Sequence, residues 1–502
     1  MDDRANEGGS NEGEWRDEKA KFRSLFRKLA PAMFLGSLDQ TIVATALPAM
    51  AMSLGNFVHI AWVVSAYLLA ATIAAPVYGR VGDAIGRRKA MMWALGFFVA
   101  GSVACTVAPN FASLIAGRVI QGLGGGGLMT LAQALIGETV SPRERGKFQA
   151  WFSGTFALAS TIGPLAGGFL SDTMGWRSIF WVNIALGGVA AYTVSRVLAA
   201  PGHGRMRIDM PGIVLVTASA SMLLFALSLG VSIGWTTVPV IVFAGLSVTG
   251  FVMLFFVEAR STDPLIPVEL LKESAVWRCS LAVLLSSAIL FSVVIQLPLF
   301  LQLVVAFSPT KAGLMLIPLM LSQVTMALVV GNFVSSGGHT GKFMAIGFAI
   351  SALGFVALAA VLDRSLWFLS GASCLIGLGV GATGPISQTI VQWAGGTARL
   401  GRATGLMSLS RSIGGLLGTA LASALLIAAF QLLAPGLTME IEHALSTSTA
   451  APSLVPGSAL DASAAFRVVF LALGGICVLA ALLTATIPDI DLRSSPPNEP
   501  EA

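Results

Sequence analysis

The sequence predicts an all-α integral membrane protein with fourteen transmembrane helices and both termini in the cytoplasm. The first observation is a series of apolar segments of about 20 residues, the length that a helix needs to cross a bilayer. The second is the composition: 55% of the 502 residues are hydrophobic and 11% are charged, whereas a soluble domain carries about 25% charged residues. The third is the uneven distribution of lysine and arginine between alternate loops, which orients membrane proteins.

The apolar segments define the predicted spans. Backbone groups inside lipid have no water to bond, so each segment must satisfy its own hydrogen bonds as a helix. Glycine suits this arrangement because small side chains let helices pack closely in lipid. We number the spans 1 to 14 in chain order, near residues 30–50, 60–79, 90–108, 111–135, 148–171, 178–199, 210–230, 236–257, 277–303, 312–334, 343–362, 366–390, 404–430 and 465–487.

Basic residues give the expected orientation. The exceptions to a one-sided distribution are four residues in loops on the far side and two inside spans, namely Arg177, Lys311, Arg364 and Arg467, and Arg118 and Arg411. The other lysines and arginines lie on the side of the two termini, which the positive-inside rule places in the cytoplasm. Residues 1–28 are hydrophilic, so we expect no cleaved signal peptide and a first span that directs its own insertion.

The sequence also argues against several functions. Loop orientation explains the net charge of +5, so no nucleic-acid partner is expected. The four cysteines have neither metal-site nor disulfide spacing, and we expect no metal and no other cofactor. The G-x-G-x-x-G pattern at 122–127 lies inside span 4 with no strand before it, so it does not predict dinucleotide binding. The sequence contains no P-loop pattern and no nucleophile–base set, which disfavours an ATP-driven pump and an enzyme.

An internal repeat relates the two ends of the chain. At an offset of 255 residues, span 4 aligns with span 12 and span 5 with span 13. The aligned glycines are Gly122, Gly124, Gly126 and Gly163 with Gly377, Gly379, Gly381 and Gly418. Parallel repeats of this kind are typical of transporters built from two halves.

The repeat predicts two pseudo-symmetric six-helix halves and an inserted pair of helices, spans 7 and 8. The predicted parts are a cytoplasmic N-terminal segment, the N-terminal half, the inserted pair, the C-terminal half and a cytoplasmic tail, at residues 1–28, 29–199, 200–275, 276–487 and 488–502. The repeat fails at polar positions, because Arg118 aligns with Ser373 and Gln121 with Ile376. Charged chemistry is therefore expected mainly in the N-terminal half.

Four motifs lie in or beside spans 1, 2, 4 and 5. They are LDQTIVATALP at 38–48, GRVGDAIGRRK at 79–89, RVIQG at 118–122 and GPLAGG at 163–168. Together they resemble the fourteen-helix drug:proton antiporter branch of the major facilitator superfamily, over residues 29–487. The resemblance implies a secondary transporter that works by alternating access between its halves and exchanges small organic solutes for protons.

Asp39 and Arg118 are the predicted proton-coupling residues. Asp39 lies about 15 Å into span 1 at 1.5 Å per residue, where a carboxylate is costly unless it is paired, hydrated or protonated. Arg118 lies at a comparable depth in span 4 and could hold the carboxylate ionised or release it. The alternative is a structural polar contact between spans 1 and 4.

The loop between spans 2 and 3 is a predicted conformational latch. An Asp–Arg pair at these helix ends could hold one closed conformation. Topogenic charge alone would explain the cations but not the spacing of the glycines and the aspartate. The residues of the latch are Gly79, Asp83, Gly86, Arg87 and Arg88.

The motif of span 5 is the one that the resemblance associates with antiporters. Its small residues allow close packing and its proline allows a bend. A purely structural role is the alternative. The motif residues are Gly163, Pro164, Gly167 and Gly168.

Polar residues inside other spans are candidates for lining a cavity. Residues of these types are more often packing or interfacial residues, and Arg411 could also extend toward the cytoplasmic side. The candidates are Gln121, Gln296, Gln323, Gln388 and Arg411.

The leading hypothesis is proton-coupled efflux of small amphipathic organic compounds by a monomer in the plasma membrane, specifically a bacterial inner membrane. The first alternative is import of a vitamin-like or other nutrient solute on the same frame, because one intramembrane acid suits symport as well as antiport. A receptor or scaffold derived from a transporter is the second alternative. The partners expected from the leading hypothesis are the organic substrate, protons and the lipid bilayer.

Overall fold

The computed structural model describes residues 3–55, 59–139, 145–198, 210–260, 268–335, 340–362, 366–395, 400–433 and 456–488. The regular secondary structure of these ranges is helical, which confirms the all-α class. The helices are Asp3–Ile42, Ala44–Ala46 (a 3₁₀ turn), Leu47–Leu54, Trp62–Ile85, Arg87–Thr106, Phe111–Thr139, Arg145–Thr173, Ser178–Ser195, Met210–Ile233, Val238–Glu258, Val268–Leu271, Ser274–Leu303, Pro309–Leu314, Ile317–Ser335, Thr340–Ala360, Leu366–Gly395, Leu400–Leu433 and Pro456–Ala485.

Within the described ranges, twelve helices are long and apolar enough to cross a membrane. They occupy the predicted spans 2 to 4 and 6 to 14, so the chain is a multi-pass membrane protein. We keep the span numbers for the helices at these places. Residues 489–502 of the predicted tail lie outside the described residues, and the cytoplasmic location of both termini stays a prediction.

Helices also occupy the places of spans 1 and 5. Span 1 comprises Asp3–Ile42 with its short continuation, and span 5 is Arg145–Thr173. Both helices are long enough but less apolar than the twelve helices counted above. Span 1 contains Asp39 and Gln40, and span 5 is rich in glycine, serine and threonine. Spans 1 and 5 pack closely against each other. The count of fourteen spans therefore stays a prediction, with a helix present at each of the fourteen places.

Span 1 is interrupted toward its far end, a feature that we did not predict. The helix Asp3–Ile42 gives way to a 3₁₀ turn at Ala44–Ala46, and the helix Leu47–Leu54 follows. Pro48 lies in the first turn of this last helix, where a missing N–H is tolerated. A proline disfavours a continuous helix before it, which suits a break at this place, although other prolines of the chain, such as Pro31 and Pro76, lie inside helices.

The two ends of the chain pack in the same pattern. Span 4 lies against spans 2 and 3, and span 12 lies against spans 10 and 11. Span 1 packs against span 5, as span 9 packs against span 13. Spans 7 and 8 pack against each other, and span 7 also contacts spans 2 and 13. The domain boundaries given above stay predictions.

Equivalent glycines make equivalent close approaches. A side chain at Gly122 would collide with the backbone of Tyr67 in span 2, and one at Gly377 would collide with the backbone of span 10. Gly124 faces the backbone of span 3 in the way that Gly379 faces the backbone of span 11. The offset of 255 residues in the sequence therefore corresponds to repeated helix packing.

The two halves touch near the far face, which we define as the end of the bundle opposite the N-terminal face. The N-terminal face carries the start of span 1 and the loop 79–89. Gly168 of span 5 lies against the backbone of Pro309, and Gly313 of span 10 lies against the backbone of span 5. Gln302 of span 9 donates a 3.0 Å hydrogen bond to the carbonyl of Thr45 in span 1.

The same helices separate toward the N-terminal face. On span 13, positions that are multiples of seven apart share a face: Gly405 is exposed, Ser412 is half-buried, and Thr419 and Leu426 are buried, before the end of the helix at Leu433 is exposed again. On span 5, Gly154 faces open space, whereas Gly168 is packed. A stripe that faced lipid would stay exposed along the whole helix. The gradient therefore indicates a cleft between the halves that opens at the N-terminal face.

Candidate functional site

Asp39 lies fully buried in the core of the N-terminal half. Its Oδ2 accepts a 2.9 Å hydrogen bond from Nη1 of Arg118 in span 4. Its Oδ1 accepts a 3.0 Å bond from Nε2 of Gln121 and a 2.6 Å bond from Nδ2 of Asn183 in span 6. Three donors from two spans thus converge on one carboxyl group. This arrangement suits the carboxylate form, which accepts hydrogen bonds at both oxygens and donates none.

Arg118 is held on several sides and is 1% exposed. Its Nε donates a 2.9 Å hydrogen bond to the carbonyl of Val63, and its Nη1 also donates a 2.6 Å bond to Oε1 of Gln121. Its guanidinium carbon lies 4.3 Å from the centre of the Tyr67 ring. Removing one member of a buried ion pair leaves the other charge uncompensated. The state of Asp39 is therefore tied to the state of Arg118.

The structure brings Asp39 and Arg118 together and adds residues that we did not predict. Gln121 donates a second bond, of 2.9 Å, to Oγ of Ser102 in span 3, and Asn183 and Tyr67 contact the pair from spans 6 and 2. Asn183 could have been predicted from the sequence, because it is the only amide side chain within the apolar helix Ser178–Ser195. Polar groups inside an apolar span are rare and usually functional.

Two polar atoms next to this network have no hydrogen-bond partner among the described residues. They are Oη of Tyr67 and Oδ1 of Asn183, and both are buried. Most buried polar atoms in proteins have a partner, so each such atom needs an explanation. A protonated carboxyl group is itself a donor, and these two oxygens are acceptors that it could reach after a small rearrangement.

The motif of span 5 packs against the interrupted part of span 1. A side chain at Gly163 would collide with Thr41, and Gly167 makes a similarly close approach to span 1. Thr45 donates a 3.2 Å hydrogen bond to the carbonyl of Pro164. Gly168, the last glycine of the motif, lies against the backbone of span 10. The motif therefore lies between span 1 and the C-terminal half at the far face.

Asp83 and Arg87 of the predicted latch form an ion pair of 3.1 Å, one helical turn apart. Arg87 also donates to the carbonyl of Ala134 near the end of span 4. Gly86 ends span 2 with a φ of 92°, a left-handed conformation that a side chain would strain. The other two members flank the pair at the N-terminal face, namely Gly79 and Arg88. The ion pair lies within the N-terminal half, and its role as a latch stays a prediction.

The predicted cavity residues lie in different surroundings. Gln121 belongs to the buried network around Asp39. Gln296 is buried in span 9, where its Nε2 donates a 3.3 Å hydrogen bond to a serine of span 13. Gln323 and Gln388 are half-buried, and Arg411 is exposed on span 13.

Comparison with known proteins agrees with this architecture. The family model of the Major Facilitator Superfamily matches residues 29–210 and 210–419. The multidrug transporter protein MdtP of Bacillus subtilis (strain 168) is 32% identical to this chain over 412 residues, which cover 82% of the chain and 76% of that relative. The efflux pump FUS6 of Gibberella moniliformis is 28% identical over 461 residues, which cover 88% of the chain and 79% of that relative.

A solved structure shares the fold at low sequence identity. It is an auto-inhibited peptide transporter of the POT family, with a TM-score of 0.63 and 13% identity, and the match covers 95% of this chain and 99% of that chain. This likeness concerns the fold alone. The family matches run from span 1 into span 13, and the four motifs fall inside them. The chain therefore belongs to the Major Facilitator Superfamily and is a transporter of small molecules rather than an enzyme.

Proposed function

We propose that this transporter exports small organic compounds from the cytoplasm in exchange for protons, by alternating access between its two halves. The observation that carries the proposal is the buried ion pair of Asp39 and Arg118. Stability alone does not require such a pair, because apolar side chains of similar volume are often as stable in its place. The names of the relatives, a multidrug transporter and an efflux pump, support export.

Protonation of Asp39 would change the balance of the network. A neutral carboxyl group no longer compensates the charge of Arg118, whose other hydrogen-bond acceptors, Gln121 and the carbonyl of Val63, are neutral. The guanidinium would then favour a different partner or a hydrated position. The protonated and deprotonated forms would therefore favour different packing of spans 1 and 4, which is the two-state element that coupling requires.

The orientation that we propose places the N-terminal face in the cytoplasm, because the basic residues are concentrated there. The cleft then opens toward the side from which an exporter takes its substrate. The pair of Asp83 and Arg87 would stabilise the opposite conformation, in which the halves close at this face. One chain contains both halves, so a monomer suffices. We place it in the plasma membrane, that is, in the inner membrane of a bacterial cell.

We also propose that spans 1 and 5 cross the membrane, which would give the count of the fourteen-helix drug:proton antiporter branch. Each of the two helices is longer than the ~20 residues that a bilayer requires. Single cysteines placed at the two ends of span 5 should react with an impermeant maleimide from opposite sides of the membrane. Reaction from the same side at both ends would exclude the fourteen-span topology.

Proteoliposomes with an imposed pH gradient test the proposed exchange. The probes are ethidium, tetraphenylphosphonium and 1-pyrenebutyrate, each measured in both directions, with an internal pH dye to follow protons. We expect at least one probe to move against the proton flux and to stop when an uncoupler collapses the gradient. Movement of the probe together with protons would indicate import instead.

Asp39→Asn provides the decisive variant. It should retain exchange of the probe without a gradient but lose gradient-driven accumulation. The matched control is Glu273→Gln, which removes an exposed carboxylate before span 9. If Asp39→Asn keeps uncoupler-sensitive, pH-dependent transport, the coupling proposal is wrong.

A further inference from the structure

Arg411 of span 13 is the second arginine inside a predicted span, and its surroundings differ from those of Arg118. Arg118 is buried and bonded to three residues, whereas Arg411 is exposed. Arg411 has no hydrogen bond or ion pair with another residue that the structure describes. It lies six residues beyond Gly405, the start of the apolar window of span 13, which is ~9 Å into the span at 1.5 Å per residue.

The exposed part of span 13 faces the cleft rather than lipid. Gly405, Ser408, Arg411 and Ser412 lie on one side of the helix and are exposed or half-buried. Farther along the helix the same side is buried, as at Leu426. Side chains on a helix lean toward its N-terminus, so we expect the guanidinium of Arg411 to extend toward the turn at Ser408 and the mouth of the cleft.

Spans 9 to 13 provide no counter-ion for Arg411 within the part of the chain that the structure describes. Between residues 274 and 433 the only acidic residue is Asp363, and it lies in the loop between spans 11 and 12. Asp39, the carboxylate inside span 1, is already bonded to Arg118. An uncompensated charge inside the membrane region is costly and usually marks a functional site. Among the described residues the charge of Arg411 therefore has no counter-ion, and an anion from solution can compensate it.

The neighbours of Arg411 suit an amphipathic ligand. The hydroxyls of Ser408 and Ser412 flank the guanidinium on the same side of the helix and can donate hydrogen bonds to an oxyanion. Leu406 and Met407, one turn closer to the N-terminal face, are buried in an apolar cluster with spans 9 and 12. Leu409 is half-buried next to Ser408 and offers apolar surface on the helix. A cation, two hydroxyls and a partly exposed leucine match a ligand with one acidic head group and an apolar body.

We propose that Arg411 binds the acidic head group of the transported compound, so that amphipathic organic anions are the substrate class. This inference rests on the proposed export function and names its cargo. The guanidinium presents two parallel N–H donors to a carboxylate or sulfonate, which adds geometric preference to the charge attraction.

Binding to the purified, full-length protein in detergent, with no membrane gradient, tests the inference. The probes are 1-pyrenebutyrate in tritiated form, its methyl ester and the corresponding trimethylammonium compound, which share one apolar body and differ in charge. Scintillation proximity gives the affinity of the acid, and competition gives the affinities of the other two. We expect the wild-type protein to bind the acid about tenfold or more tightly than the ester or the cation, the size of one charge-assisted hydrogen bond.

Arg411→Gln should lose this preference, with an affinity for the acid about tenfold lower or more and an unchanged affinity for the ester. Arg411→Lys should bind the acid more tightly than Arg411→Gln but more weakly than the wild-type protein, because it keeps the charge and loses the two parallel donors. The matched control is Lys272→Gln, which removes an exposed cation just before span 9, and it should bind all three probes as the wild-type protein does.

Two outcomes would overturn the inference: a wild-type protein that binds the ester or the cation as tightly as the acid, or an Arg411→Gln variant that binds the acid normally. If Arg411→Gln does not fold, the wild-type comparison of the three probes and Arg411→Lys decide the question. Failure of gradient-driven transport with intact, Arg411-dependent binding of the acid would refute the proposed export function and leave the anion site in place.

Discussion

The side-chain amide of Asn183 lies 2.6 Å from Oδ1 of Asp39, although 144 residues separate them in the sequence. Asn183→Leu keeps the branched shape of the side chain but removes this donor, so that Oδ1 retains only the bond from Gln121. We expect gradient-driven transport to slow about tenfold or more, as for loss of a hydrogen bond to a charged group, with probe affinity little changed. Initial rates and binding on one preparation measure both quantities. An unchanged rate would mean that Asn183 does not position Asp39.

A double-mutant cycle separates the contribution of the Asp39–Arg118 ion pair to stability from its role in proton-coupled transport. Arg118→Gln and Asp39→Asn should each lower the free energy of unfolding by about 3 to 5 kcal/mol, because each leaves one buried charge alone. The double variant should be more stable than either single variant, since it buries no charge, but it should remain uncoupled. Thermal unfolding in detergent and proton counterflow in liposomes provide the two readouts. Recovery of proton counterflow in the double variant would contradict the assignment.

Two glycines of span 5 should have opposite effects on the conformational equilibrium. Gly168→Leu places a side chain against Pro309 and should force the halves apart at the far face. Gly154→Leu meets open space here but would obstruct closure at the N-terminal face. The two variants therefore serve as controls for each other.

A single reporter can measure this equilibrium. Ser408→Cys lies on the cleft side of span 13, and Cys374→Ser removes the one native thiol that is not buried. Labelling of the reporter by an impermeant maleimide from the N-terminal face should slow in Gly168→Leu and speed up in Gly154→Leu. Equal labelling rates in the two variants would exclude the cleft geometry described above.

The ion pair of Asp83 and Arg87 should matter for transport more than for stability. Asp83 is half-exposed, so Asp83→Asn should change the free energy of unfolding by less than about 1 kcal/mol. If the pair stabilises closure at the N-terminal face, the turnover rate should fall at least several-fold. Lys89→Gln, which removes an exposed neighbouring charge, is the control. A normal turnover rate in Asp83→Asn would remove the latch from the mechanism.

The sequence predicted the helices and the facing pair well because the signals behind them are local. Apolar length identifies a span without knowledge of its neighbours. Asp39 and Arg118 stood out because charged residues inside spans are few. Their similar depth in the membrane was enough to predict that they face each other. The repeated glycines also indicated which helices pack closely, because two helices can approach this closely only where no side chain stands between them.

Other features depend on which side of a helix meets which neighbour. Gln121 was predicted among cavity residues, and the structure places it in the network of Asp39, because its side of span 4 faces spans 1 and 3. The sequence left Arg411 open between a structural and a binding role, since its exposure depends on the separation of the two halves. The interruption of span 1 was not predicted, although Pro48 belongs to the motif at 38–48. The contacts that hold the interrupted segment come from spans 5 and 9, which are distant in the sequence.

Thr45 lies six residues beyond Asp39 on span 1, or ~9 Å at the rise of a helix. Its hydroxyl bonds to span 5 and its carbonyl accepts a bond from Gln302 of the other half. The carboxyl group and the contacts between the halves thus lie close together on span 1, the first before its interruption and the second within it. A displacement of Thr45 by ~1.5 Å is enough to break a hydrogen bond. In the proposed exchange, a small change at Asp39 would therefore reach the contacts of the far face without any long relay of residues.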